Sequence, residues 1–81
     1  MSEQENAELT YGEKAVGLKF NPSGDDAVTN IKKAFAAAID LIQEERAKDT
    51  TPSEKGAMLT LAIREAQSSQ MWAVKATTWE G

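Results

Sequence analysis

The chain has 81 residues, no cysteine and no histidine, and carries 13 acidic against 9 basic residues for a net charge of −4. That composition bounds it to one domain and removes disulfides, thiolate metal sites, the commonest metal ligand and the side chain that titrates near neutrality. An acidic chain is a poor tracker of DNA or RNA, which calls for a basic surface that releases counterions, whereas a few local Lys or Arg side chains still suffice to hold a small phosphate ligand.

A monomer of this size buries only about 60% of the surface its unfolded chain exposes. Such domains lean on a disulfide, a metal or a partner subunit; here oligomerisation is the staple that remains. No run of 18 apolar residues occurs, so no membrane span is expected. The opening stretch MSEQENAELT is polar and acidic, unlike a signal peptide, and a cytosolic location is the expectation.

In chain order, residues 1–10 read as a polar, flexible lead. Residues 11–24, YGEKAVGLKFNPSG, read as an extended arm with one helical turn at most. Val16, Leu18 and Phe20 alternate there, and Asn21-Pro22-Ser23-Gly24 is a turn signal. A first helix is predicted over 25–48, capped by Ser23 or Asp25, with Asp25 and Asp26 suited to the positive end of its dipole. Its apolar stripe runs Val28, Ile31, Phe35, Ala38, Ile42, widened by Ala34, Ile39 and Leu41, at the 3.6-residue period. Asp26, Asn30, Lys33, Asp40 and Glu44 fall on the opposite face.

A second helix is predicted over 51–78. Thr51-Pro52-Ser53-Glu54 offers a threonine cap, a proline at the first helical position and a glutamate two residues on. Leu59, Ala62, Ala66, Ser69, Ala73 and Ala76 form a seam of mostly small residues. Met58, Leu61 and Trp72 flank it on one side, and Ile63, Gln70 and Val74 on the other. Two long helices joined by a short connection make an antiparallel helical hairpin, all-α, with an N-terminal arm. Two helices cannot bury both apolar faces, so the hairpin is expected to assemble into a homo-oligomer.

An enzyme is not expected. His and Cys are absent, and no HExxH, GxSxG, P-loop or dinucleotide fingerprint occurs; carboxylate pairs such as Glu44 and Glu45 read as a solvated face. Trp72 and Trp79, two helical turns apart, either seal an interface, where Trp is enriched, or stack on a base. Tyr11 and Phe20 carry the same two readings, and an aromatic on an arm is able to fold over a ligand. Arg64 and Ser68, one turn apart, point two donors the same way. They are either solvated, with Arg64 paired to a neighbour such as Glu65, or part of a ring of copies around a cyclic phosphate. Lys19, Lys32, Lys33 and Lys75 are phosphate candidates or plain solubilising lysines.

The segments KFNPSGDDAVTNIKKAFAAAIDLI and AIREAQSSQMWAVKATTW resemble the small phage proteins that share a helical hairpin, whose characterised members are anti-CBASS and Thoeris anti-defence sponges. The FNPSG turn, the long first helix and the ending A-x-x-E-x-x-x-x-x-M-W-A-V-K-A-x-T-W carry the resemblance, over residues 11–79. It implies a phage protein of the host cytoplasm that binds cyclic oligonucleotide or cyclic ADP-ribose immune messengers and sequesters them uncleaved, with no cofactor and no metal. It also implies a homo-oligomer, often a hexamer, with cyclic dinucleotides and cyclic trinucleotides in different pockets. By the same resemblance Tyr11 is the counterpart of a base-packing tyrosine; Lys19, Lys32 or Lys33 stands near the phosphates; and Arg64, with Ser68 one turn on, belongs to a trinucleotide site. The chain lacks the β-containing portion of the Thoeris type, which favours the shorter all-helical type over cyclic ADP-ribose binding. The competing reading is a small helical protein-interaction module or inhibitor, with no nucleotide ligand, whose apolar seam binds a host protein.

Overall fold

A computed structural model describes residues 8–81. Among them the regular elements are helices: α1 (Tyr11–Ala15), α2 (Asp26–Ala47) and α3 (Glu54–Thr77). The flexible reading of residues 1–10 falls for its larger part outside the described residues. Where it overlaps them it is corrected at Thr10, which is the N-cap of α1.

The arm is more helical than its alternation suggested. The Thr10 hydroxyl accepts from the Glu13 amide at 3.0 Å, and the Glu13 carboxylate accepts from the Thr10 amide at 2.9 Å. That reciprocal pairing satisfies two orphan donors and nucleates a turn. The helix closes on Gly17, whose φ of +63° is the left-handed conformation that suits a residue without Cβ. There the Gly17 amide donates to the Lys14 carbonyl at 3.1 Å and the Leu18 amide to the Glu13 carbonyl at 3.0 Å.

Of the two caps open for α2, Asp25 is the one used: its carboxylate accepts from the Ala27 amide at 2.8 Å. Ser23 supports it from behind, accepting from the Asp25 amide at 3.1 Å and donating to Asn21 Oδ1 at 2.7 Å. The start of α3 is corrected by two residues. Ser53, not Thr51, is the cap, accepting from the Gly56 amide at 2.9 Å while its own hydroxyl proton goes to Asp49 Oδ2 at 2.8 Å. With Asp49 there to accept, Ser53 is satisfied in both directions, and Pro52 is left outside the helix.

The arm runs back along α2 and against α3. The Gly12 amide donates to Asp40 Oδ1 at 2.7 Å. Lys32 Nζ donates to the Gly17 carbonyl at 2.9 Å and to the Phe20 carbonyl. From α3, Gln67 Nε2 donates to the Ala15 carbonyl at 3.2 Å. Arg46 on α2 meets Thr60 on α3, and Lys32 and Gln70 border one groove. Ascending positions on α2 thus face descending positions on α3, so the hairpin is antiparallel.

The buried seam of α2 keeps Val28 and Ile39 of the expected stripe, with Phe35 and Ile42 packed on the core, and shifts where the arm docks to take in Lys32 and Ala36. Val28, Lys32, Ala36 and Ile39 are its buried residues, while Ala38 and Leu41 face solvent. On α3 the buried positions are Ile63 and Gln70, from the flank of the expected small-residue seam; Ser69 and Ala76 are exposed. The core is small, with Val16, Ala36, Ile39 and Ile63 at its centre and Leu18, Phe35, Ile42 and Ala66 packed around it. The molecule is a plate of 43 × 39 × 13 Å with a radius of gyration of 14.5 Å, against about 12 Å for a compact chain of this length.

Candidate functional site

The described residues bring the chemistry-bearing side chains together in three places. The first lies where the start of α1 meets the end of α2. Arg46 is half-buried there, and each of its contacts is to a neutral acceptor. Its Nε and Nη2 donate to Gln43 Oε1 at 3.0 and 2.7 Å. Nη1 donates to Thr60 Oγ1 at 3.1 Å, and Nη2 also to the Tyr11 phenol oxygen at 3.1 Å. Its guanidinium carbon stands 5.5 Å from the centroid of the Tyr11 ring.

The ion pairs among the described residues lie elsewhere, between Glu45 and Lys48 at 2.8 Å and Glu45 and Lys55 at 3.7 Å. The hydrogen bond and charge of Lys48, with Lys55 adding to them, hold the Glu45 carboxyl below its ordinary range. The Glu45 carboxylate in turn raises Lys48. Those lysines therefore face an acid, whereas the Arg46 guanidinium is fixed in place with its charge not met by a carboxylate among the described residues. Beside it an open hollow of about 450 Å³ runs along the hairpin turn past Thr51, Ser53, Gly56 and Thr60. Asp49 shares this hollow. A planar guanidinium suits phosphate oxygens, and the adjoining Tyr11 ring, 40% exposed, offers a face to a base.

The second place is a groove of about 460 Å³ at the other end of the arm, bordered by Phe20, Lys32, Gln67, Gln70, Met71 and Val74. Lys32 is only 5% exposed. Its ammonium serves the Gly17 and Phe20 carbonyls and lies 5.6 Å from the Phe20 centroid. The lysine that the sequence offered as a phosphate ligand is thus the clamp of the turn after α1. Phe20 itself is 72% exposed.

The third place is the outer surface of α3. Arg64 donates to Gln67 Oε1 at 3.2 Å rather than pairing with Glu65. One turn on, Ser68 borders a hollow of about 260 Å³ with Met71, Trp72 and Lys75. Lys75 Nζ stands 5.8 Å from the Trp72 ring centroid and 6.0 Å from that of Trp79. The two tryptophans are 67% and 66% exposed.

Tyr11, Phe20 and Lys32 are therefore brought to the two ends of the arm, Arg64 and Ser68 lie together on α3, and Lys19 and Lys33 are exposed. Arg46, with Gln43 and Thr60 around it, is a site residue that the sequence reading missed. A basic residue in the last turn of a helix looks like an ordinary complement to the dipole, and nothing local marks its long-range contact to Tyr11. Asp40, assigned to the solvent face, is likewise the acceptor that seats Gly12. Among the described residues no cluster of three or more acidic side chains is placed to hold a metal ion, and no helix is long and apolar enough to cross a membrane.

A family model described as Acb2/Tad1, hairpin domain, matches residues 13–78. No curated protein and no solved structure matches.

Proposed function

The chain belongs to the Acb2/Tad1 hairpin family, the anti-CBASS and anti-Thoeris sponges, and from that premise we propose that it captures cyclic oligonucleotide immune messengers and holds them uncleaved. The family carries the anti-defence role of cyclic-nucleotide capture. The specific reading is that cyclic dinucleotides and cyclic trinucleotides are the ligands, in the host cytoplasm. The observation that carries it is the Tyr11–Arg46 pair: an exposed aromatic face next to a guanidinium fixed by neutral acceptors. A base stacked on Tyr11 contributes about 1–3 kcal/mol. A phosphate on the guanidinium contributes about 1.5–3 kcal/mol, as hydrogen bonds to charged groups do. Capture asks for affinity rather than bond-breaking, so a chain without His or Cys is equal to it.

In this reading the working form is a homo-oligomer, a hexamer by the family's pattern. The supporting observation is the apolar surface left open on the single chain, with Leu41, Met58, Leu61, Trp72 and Trp79 all exposed. Covering it takes another subunit, and a subunit edge is also where a flat ligand is enclosed. Lys19 and Lys33 then serve as outlying phosphate contacts, and Arg64 with Ser68 as the trinucleotide site. The same open apolar surface favours the second reading, a hairpin that docks on a host protein and binds no nucleotide.

Isothermal titration calorimetry against 3′,3′-cyclic GMP-AMP, cyclic triadenylate and cyclic ADP-ribose isomers separates the two, with the ligand recovered and checked for integrity. Sub-micromolar binding of an intact cyclic oligonucleotide is expected. Arg46→Ala and Tyr11→Ala should each weaken cyclic dinucleotide binding at least about 10-fold while light scattering still reports the wild-type assembly. No heat from any of the panel, with a folded oligomer in the cell, refutes the messenger reading.

A further inference from the structure

The groove at the far end of the arm is bordered by a buried polar side chain with no hydrogen-bond partner among the described residues. Gln70 is 4% exposed. Its neighbour Gln67 employs its amide at both ends: Nε2 donates to the Ala15 carbonyl at 3.2 Å, and Oε1 accepts from Arg64 at 3.2 Å. The Gln70 amide has no hydrogen-bond partner among the described residues. Yet no side-chain nitrogen or oxygen there is both fully enclosed and unpartnered. The Gln70 amide therefore keeps a little accessible surface, and the residue borders the groove.

Its surroundings define the ligand. Met71 and Val74 supply apolar walls, Phe20 stands as a ring in the groove wall, and Lys14 brings a positive charge to the edge. One face of Phe20 is engaged by the Lys32 ammonium, and the ring is otherwise open. The volume, about 460 Å³, is in the range of small-molecule sites. A flat ring, a buried amide and a cation at the rim match a nucleobase with its phosphate.

A carboxamide presents one donor and one acceptor side by side. Adenine answers with the N7 acceptor and the N6 amino donor, whereas the same edge of guanine shows two acceptors. We propose that this groove reads an adenine: the base stacks on Phe20, and the Gln70 amide pairs with its edge and sets the base preference of the protein. The inference rests on the messenger-binding reading above and deepens it, because it assigns base identity to a groove on α3.

The test uses the full chain with 3′,3′-cyclic di-AMP and 3′,3′-cyclic di-GMP as probes. Wild type should prefer the adenine ring. Gln70→Leu, similar in volume and without the amide, should lose about 5- to 150-fold in affinity for cyclic di-AMP and change little toward cyclic di-GMP. Gln70→Glu, which only accepts, should also weaken cyclic di-AMP binding, because adenine N7 loses its donor. In nitrogen-15 spectra of the wild-type protein, the Gln70 side-chain amide signals should move on adding cyclic di-AMP, a readout that does not depend on how the variants fold. Binding of cyclic di-AMP with those signals unmoved, or with Gln70→Leu unchanged in affinity, overturns the base-reading groove and leaves the messenger reading standing. Dissociation of the assembly by Gln70→Leu with the amide signals unmoved makes Gln70 a packing residue and overturns it too. No binding of either probe or of the wider panel overturns both readings together.

Discussion

Gly12→Ala sets two well-measured effects against each other at one position. Gly12 lies inside a helix, where alanine is favoured by about 1 kcal/mol, so propensity alone makes the variant more stable. The packing says otherwise. A methyl group at Gly12 would run into the Ala36 carbonyl oxygen, and would lie 2.8 Å from the Ala36 carbonyl carbon and 2.9 Å from Asp40 Oδ1. Ala36 is in the middle of α2, where its backbone is bound into the helix ladder, so the arm has to move. Overpacking of this kind costs about 1–3 kcal/mol. Retreat of the arm also stretches the charge-assisted bond from the Gly12 amide to Asp40, now 2.7 Å, a loss of about 1.5–3 kcal/mol. If the arm lifts off altogether, buried Val16 is released for a similar amount. Subtracting the propensity gain leaves a net destabilisation of about 2–4 kcal/mol. Urea melts followed by far-ultraviolet circular dichroism at one fixed protein concentration measure it, since an assembling chain has a concentration-dependent midpoint. Tryptophan fluorescence is the wrong probe, because Trp72 and Trp79, exposed on the single chain, also respond to assembly. Gly17→Ala is the companion, with φ at +63° and open space around it, so only backbone strain of about 1 kcal/mol is expected. A Gly12→Ala chain as stable as wild type would show that the arm does not sit down on α2.

Two further outcomes follow from side chains whose roles the fold assigns. Lys32→Met should destabilise the chain by about 1–3 kcal/mol in thermal unfolding, because it leaves the Phe20 carbonyl without its donor and the Gly17 carbonyl with the Phe20 amide alone; Lys33→Met, on an exposed lysine, should leave the melting temperature unchanged. A Lys32→Met that loses ligand affinity at full stability would instead make Lys32 a ligand residue. For the Glu45–Lys48 pair, the carboxyl is held low by the lysine and the ammonium is held high by the carboxylate. The contribution of Glu45 is thus present above the ordinary carboxylate range and lost as acid protonates it; that of Lys48 is present below the ordinary lysine range and lost as pH rises through its raised value. Lys48→Ala should let Glu45 titrate higher in carbon-13 spectra of its carboxyl. The melting temperature at neutral pH should barely move, because both groups are solvent-exposed.

The two long helices were legible because their apolar residues recur at the helical period and their starts carry capping chemistry. What was not legible is long-range. At the start of α3 the sequence pointed to Thr51 as the cap, whereas Ser53 takes the role with its hydroxyl donating to Asp49. The short helix α1 was hidden because five residues show no period; its one local signal was the pair Thr10 and Glu13, three apart, straddling the boundary between lead and arm. The α2 seam was partly misplaced for a connected reason. An apolar count cannot see that Lys32 is buried by its carbonyl contacts or that Asp40 seats a glycine. At the site, Tyr11 and Phe20 stood out as aromatics on an arm. Arg46 and Gln70 did not, because one resembled a dipole complement and the other a seam flank until the fold set them beside a ring and a groove.

The arm that carries both aromatics is held less by apolar burial than by directed polar contacts. Val16 is the arm's fully buried apolar residue, with Ala15 and Leu18 partly so. Against that stand the Gly12 amide on Asp40, the Lys32 ammonium on two carbonyls, Gln67 on the Ala15 carbonyl, and Arg46 on the Tyr11 hydroxyl. Hydrophobic contact is non-directional and tolerates sliding, whereas these bonds fix register and angle. A 90° turn of a ring or a displacement of about 1 Å is enough to spoil stacking and phosphate contact. The arrangement therefore suits a protein whose task is to hold a flat, charged ligand without reorganising around it. It also places the burden of stability elsewhere: with so small a core, the plate needs its outer apolar face covered. In the proposed oligomer Trp72 and Trp79, flanking Lys75 on that face, are the side chains with the most area to contribute to the contact.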